Sequence, residues 1–252
     1  MAARDRAGAR QRIDARLAAA PRDVHALMLS ARTSLASGDP SEAERVLRQV
    51  IEIDADHLPA YDLLGQLYVS QHRLADAQAE FERLARRRPD SMGARTMVAA
   101  LLQLQNRVDD ARRQYEAIVQ TNADAAVASN NLAWLYATSG GNLDVALTLA
   151  QSAKKQLPDQ PEVNDTLGWI YYRKGLFRLA LDALEQSVRK DPDNALYLYH
   201  LGLTYAGQGE NAKARQTLQR ALALNPRFDG ADNARRVAAE LGQTVARAEL
   251  GR

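Results

Sequence analysis

The chain reads as an all-α solenoid of antiparallel helix pairs on three grounds. Small residues recur at Ala31, Gly65, Ala99, Ala133, Gly168 and Gly202, stepping by 34 residues with one step of 35. Alanines keep the same rhythm at Ala43, Ala77, Ala111, Ala146, Ala180 and Ala214. Around these marks the apolar residues return every three or four positions, as on the buried face of an amphipathic helix. A fixed period of this kind belongs to stacked helical hairpins, whose apolar stripes are hidden only by their neighbours.

In chain order, residues 1–23 form an N-terminal half-repeat or capping helix, because Ala9, Ile13 and Leu17 before Pro21 match only the second helix of a pair. Six copies follow, at 24–57, 58–91, 92–125, 126–160, 161–194 and 195–228. The clearest, 161–194, carries Leu167, Gly168, Ile170 and Tyr171 on its first helix and Phe177, Ala180, Leu181, Leu184 and Val188 on its second. Gly65, Gly168 and Gly202 are expected where the first helix of a pair faces the second, since a mid-helix glycine costs about 1 kcal/mol against alanine and needs a packing reason. Pro89, Pro158, Pro192 and Pro226 end second helices, proline being unable to continue the ladder. One extra residue near Gly140-Gly141-Asn142 lengthens the turn of the fourth copy. Residues 229–252 supply a C-terminal capping helix (Ala231, Ala234, Val237, Ala238, Leu241) and a tail.

The run Leu64-Gly65, Tyr68, Ala77, Phe81, Pro89 resembles the tetratricopeptide repeat. The runs Leu167-Gly168, Tyr171, Ala180, Leu184, Pro192 and Leu201-Gly202, Tyr205, Ala214, Leu218, Pro226 repeat it. The resemblance implies a right-handed superhelical solenoid and a non-catalytic scaffold or adaptor that binds a partner peptide or helix in its concave groove. The early tryptophan of the family is missing, copies 24–57 and 92–125 lack the Gly and the Tyr, and Ala55 and Ala123 replace the proline. A narrower likeness, in Asn130–Tyr136 and Asp165–Tyr172, is to bacterial repeat proteins associated with envelope, exopolysaccharide or protein-sorting systems.

Composition narrows the function. The net charge is +2, and residues 1–125 hold 18 basic and 18 acidic side chains, so there is no basic face for nucleic acid. Arg86-Arg87-Arg88 is the one basic run and suits the last turn of a helix. There is no cysteine, which excludes disulfides and thiolate metal sites. No stretch has the length and apolarity of a membrane span. The preference for Arg and the abundance of Ala suggest a GC-rich, bacterial genome. A cytoplasmic protein is expected as the sequence stands, and a periplasmic or envelope one if it is part of a longer chain.

Chemistry is not in view. His25, His57, His72 and His200 lie apart without metal-ligand spacing, and no nucleophile elbow, P-loop or dinucleotide fingerprint is present. The expectation is no catalytic residue, no metal and no cofactor.

Function then rests on the groove. Carrying over the family's ligand-facing positions gives Asn130, Asn131 and Trp134 in the fourth copy, Asp165, Thr166, Trp169, Tyr172 and Arg173 in the fifth, and Tyr199 and His200 in the sixth. Asn131 occupies the position where related proteins hold a peptide backbone with an amide. The aromatic residues provide the stiff contact area typical of hot spots. The first three copies are blander, and Met28, Arg32, Asp62 and Gln66 stand where a carboxylate clamp would need Lys and Asn. Two alternatives remain beside the adaptor. One is a targeting module of a larger enzyme or of an envelope or secretion component. The other is a scaffold that self-associates through its solenoid ends.

Overall fold

A computed structural model describes the backbone of residues 2–250 and the side chains of residues 8–242. Among the described residues there are fourteen α-helices and no strand. α1 spans Ala2–Ala19. Six pairs follow: α2 (Val24–Ala36) with α3 (Pro40–Ile53), α4 (Leu58–Ser70) with α5 (Leu74–Arg87), and α6 (Met92–Leu104) with α7 (Val108–Thr121). The remaining three are α8 (Ala126–Thr138) with α9 (Leu143–Gln156), α10 (Pro161–Arg173) with α11 (Phe177–Lys190), and α12 (Ala195–Gly207) with α13 (Asn211–Leu224). α14 runs Ala231–Leu250, so the helix continues through most of the residues read as a tail. The chain forms two compact units, residues 1–118 and 119–252, and the boundary falls inside α7.

The six turns within pairs share one construction. Their central residues, Gly38, His72, Asn106, Gly140, Gly175 and Gly209, all have positive φ, between 57° and 81°. The next residue's N–H reaches back five positions: Asp39 to Ser34, Arg73 to Tyr68, Arg107 to Leu102, Gly141 to Tyr136, Leu176 to Tyr171 and Glu210 to Tyr205. This is a Schellman closure, with the left-handed residue that stops the helix. In five turns the residue that closes one helix directly precedes the next. In the fourth pair Gly141 closes α8, and Asn142 then caps α9 by accepting from the Asp144 and Val145 amides. The extra residue separates the stop from the start.

The joints are dry. All six second-helix alanines, from Ala43 to Ala214, have no exposed surface. A Cβ added to Gly168 would lie 2.5 Å from Leu184 Cγ and 3.2 Å from the Ala180 carbonyl oxygen, and one added to Gly202 would lie 2.8 Å from Leu218 Cγ. Those two glycines therefore face the second helix of their own pair, as expected. Gly65 does not: its added Cβ would meet Met97 of α6, at 3.1 Å from Cε. A bare methionine end takes the place of a backbone approach there, which corrects the reading of all three glycines as one kind of joint.

Candidate functional site: aromatic rings over a buried Asp–His pair

The sequence-derived site residues all lie in the second unit, on α8, α10 and α12. Residues four apart share a helix face, so Asn130 and Trp134 align on α8 and Asp165 and Trp169 align on α10. Pro161 starts α10 at a first-turn position, and Asn194 caps α12 by accepting from the Leu196 and Tyr197 amides. These caps set the register in which the side chains meet.

At the centre, Asp165 and His200 are bonded. Nδ1 of His200 lies 2.8 and 3.0 Å from the two carboxylate oxygens. The pair is enclosed, with side-chain exposures of 2% for His200 and 5% for Asp165. Rings surround it. Trp169 stacks on His200 with centroids 4.3 Å apart and on Tyr172 at 4.9 Å, while Trp134 and Tyr199 stand 5.7 and 5.5 Å from the imidazole. Tyr199 accepts a hydrogen bond from Asn233 Nδ2 of α14 and packs on Phe228. Burial raises the Tyr172 phenol above its ordinary range, with the Tyr199 phenol adding to it.

The ten residues therefore divide. Asp165, Thr166, Tyr199, His200 and Asn130 lie beneath the surface. Asp165 and His200 meet each other across α10 and α12, and Tyr199 meets Asn233 of α14, so these three spend their polar groups between helices. Asn131, Trp134, Trp169 and Tyr172 are half-buried, and Arg173 is exposed. Arg173 donates to the Ala137 carbonyl and so bridges α10 to α8. Trp169 packs against the apolar clusters on both sides of α10. Two buried polar atoms here have no hydrogen-bond partner, Trp169 Nε1 and Asn130 Oδ1. Among the described residues no group of three potential ligands could hold a metal ion, and no helix is long and apolar enough to cross a membrane.

Comparison with known proteins fits this architecture. One Tetratricopeptide repeat profile matches residues 99–161 and 166–227, and a second matches 1–67 and 34–103. The chain belongs to the tetratricopeptide repeat family. Among curated proteins it is similar to the Peroxisomal targeting signal receptor of Saccharomyces cerevisiae, with 30% identity over 87 residues, or 34% of this chain. That stretch is 14% of the receptor's length. Among solved structures it is similar to a chain of the APC/C hetero-tetramer Cut9-Hcn1, with TM-score 0.69 and 14% identity over 94% of this chain and 46% of that one. It is also similar to MamA of Desulfovibrio magneticus RS-1, with TM-score 0.52 and 16% identity over 69% of this chain and 98% of that one. At these identities the two structures show the fold alone.

Two features of the tetratricopeptide face escaped the sequence reading. The first is the Asp165–His200 bond, which joins the fifth residue of α10 to the sixth of α12. The second lies in the first unit, where the sixth residues of α2, α4 and α6 are Leu29, Leu63 and Met97. Leu29 is 40% exposed, and Val69 and Leu104 are exposed on the same helices. Reading the sixth residue of every copy would have found Leu29, Leu63 and Met97, but not the bond from Asp165 to His200.

Proposed function

We propose that the chain is a non-catalytic adaptor, and that the second unit binds an extended segment of a partner protein across α8, α10 and α12. The observation that carries this is the fixed geometry of the rings. Trp169 is held by His200 on one helix and Tyr172 on its own, and His200 is held by Asp165. Aromatic side chains locked before binding lose little freedom on contact, which favours them as anchors. Trp134 and Tyr172 supply the accessible ring surface, and Asn131 supplies an amide beside it. Asp165, Thr166 and His200 act from below, as positioning residues. The likeness to a protein named as a receptor for a targeting signal supports a peptide as occupant.

The test is calorimetric titration with a peptide library, repeated on Asn131→Ala, Trp134→Ala and Tyr172→Ala. A tenfold or greater loss for any binder on Trp134→Ala, about 1.4 kcal/mol, is the expected result. Unchanged affinity for every binder across all three variants would reject this face.

A second reading, the targeting module of a larger protein, is favoured by proportion: the chain spans 14% of the receptor and 46% of the Cut9-Hcn1 chain it matches. The natural reading frame decides it. Additional folded sequence on either side supports the module, and a frame of 252 codons removes it.

A further inference from the structure

The polar groups that the aromatic face leaves over are donors. The indole N–H of Trp134 and the hydroxyl of Tyr172 bond to no other described residue, and both reach the surface. Arg173 donates from one guanidinium nitrogen to the Ala137 carbonyl and is otherwise exposed. The acceptors on α8 and α10 are engaged or enclosed. Both oxygens of Asp165 face His200, Asn131 Oδ1 accepts from Asn130 Nδ2, and Asn130 Oδ1 is buried. Glu162, the other carboxylate of α10, stands ten residues before Tyr172, about 15 Å along the helix.

The rings form a row. Their centroids step 5.7 Å from Trp134 to His200, 4.3 Å on to Trp169 and 4.9 Å on to Tyr172. Trp134 and Tyr172 are the accessible ends of that row, one on each of two neighbouring first helices. The backbone groups of an occupant then decide its conformation. A β-strand brings N–H groups that need acceptors, which this face lacks beside its rings. An α-helix keeps its carbonyls for its own ladder and leaves the indole and the phenol without partners. A polyproline II helix has no internal hydrogen bonds, and each proline offers a carbonyl and no N–H. Its successive turns lie about 9 Å apart, which matches neighbouring helices packed about 8–10 Å apart.

We propose that the partner segment on this face is proline-rich and lies across α8 and α10 as a polyproline II helix. Its proline rings stack on Trp134 and Tyr172. The Trp134 N–H and the Tyr172 hydroxyl donate to carbonyls of the segment, and Arg173 donates beside them. The conformation of the segment is set before binding, as that of the rings is, so little freedom is lost on contact. The inference rests on the adaptor reading of the second unit and narrows it to one class of partner.

The experiment is fluorescence-anisotropy titration of the full chain with a dye-labelled oligoproline and with an equally long Ala/Gln peptide. It is repeated on Trp134→Phe and Tyr172→Phe, which keep a ring and remove the donor, and circular dichroism melting checks both variants. The oligoproline is expected to bind at least about tenfold more tightly than the Ala/Gln peptide. Each variant is expected to weaken it by about fivefold, the worth of one hydrogen bond. The chain has two tryptophans, so its nitrogen-15 spectrum has two indole N–H signals, and Trp134→Phe identifies one of them. That signal is expected to move downfield as oligoproline is added. Oligoproline that fails to bind, while another peptide binds and depends on Trp134, overturns the proposal and leaves the adaptor face standing. Failure of every peptide overturns both. Oligoproline affinity unchanged in both variants also overturns the proposal, because the donors then select nothing.

Discussion

Asp165 holds Nδ1 of His200 with both carboxylate oxygens, at 2.8 and 3.0 Å, and so ties α10 to α12 beneath the ring of Trp169. The bond spans neighbouring repeats, where a solenoid has few contacts to spare. Removing one partner of a buried hydrogen-bonded pair leaves the other unsatisfied and costs about 1–3 kcal/mol. Replacing both with apolar groups of similar shape costs much less.

His200→Ala should therefore destabilise the second unit by about 1–3 kcal/mol, with Asp165→Leu alone comparably harmful. Asp165→Leu combined with His200→Phe should recover most of that loss, since Phe keeps the stack on Trp169. Trp134 and Trp169 both flank His200, so urea denaturation followed by tryptophan fluorescence reads the affected region. Additive losses in the double variant would show that the pair is not coupled.

The turn residues give a second prediction. His72 and Asn106 take φ of 57° and 60° where four other turns use glycine. A left-handed conformation costs a residue with a Cβ about 1–2 kcal/mol, less for asparagine. His72→Gly should stabilise the first unit by about 1 kcal/mol and Asn106→Gly by less, read as shifts in the urea midpoint. Gly175→Ala, the reverse change, should destabilise.

This regularity shows what the sequence made legible. The period made the stack of helix pairs legible, because a hairpin that hides its stripe against its neighbours must repeat its stops and starts in phase. The fourth turn's extra residue was equally visible in Gly140-Gly141-Asn142. The site was only half legible. Spacing says which residues share a helix face, and Trp134, Tyr172 and Asn131, assigned to the groove by the family resemblance, are half-buried. It does not say how closely adjacent helices approach, and that approach buries Asp165 against His200. Gly65 makes the same point: its register matched Gly168, but its contact is with Met97 of the next pair.

Gly65 and Gly168 should consequently respond in opposite ways. An alanine methyl at Gly168 would come 2.5 Å from Leu184 Cγ, a branch carbon close to the backbone, and would overpack by about 1–3 kcal/mol. At Gly65 the nearest atoms are the flexible end of Met97, at 3.1 and 3.2 Å. A methionine end moves aside readily, and alanine gains up to about 1 kcal/mol of helix propensity. Thermal melting should show Gly168→Ala lowering the midpoint and Gly65→Ala leaving it unchanged or raised. Equal losses would mean that both glycines serve the same close joint.

The last prediction concerns alkaline pH. The Tyr205 phenol is pushed up to about 12, chiefly by burial and then by donating its proton to Glu185 at 3.0 Å. Burial also raises Tyr197, with the carboxylates of Glu162, Asp165 and Asp191 adding to it. In the unfolded chain both phenols lose their protons near pH 10. The folded state keeps them longer, so from about pH 10 upward the native state binds more protons than the unfolded one and stability falls as pH rises. The stabilisation is intact below about pH 10 and is lost for Tyr205 as pH climbs towards about 12. Tyr205→Phe and Tyr197→Phe, which cannot ionise, should each flatten that decline, and Glu185→Gln should flatten it in part by removing the charge that favours the neutral phenol. Urea midpoints measured on both sides of pH 10 check this. Profiles parallel to that of the unaltered chain would mean that other groups set the alkaline limit.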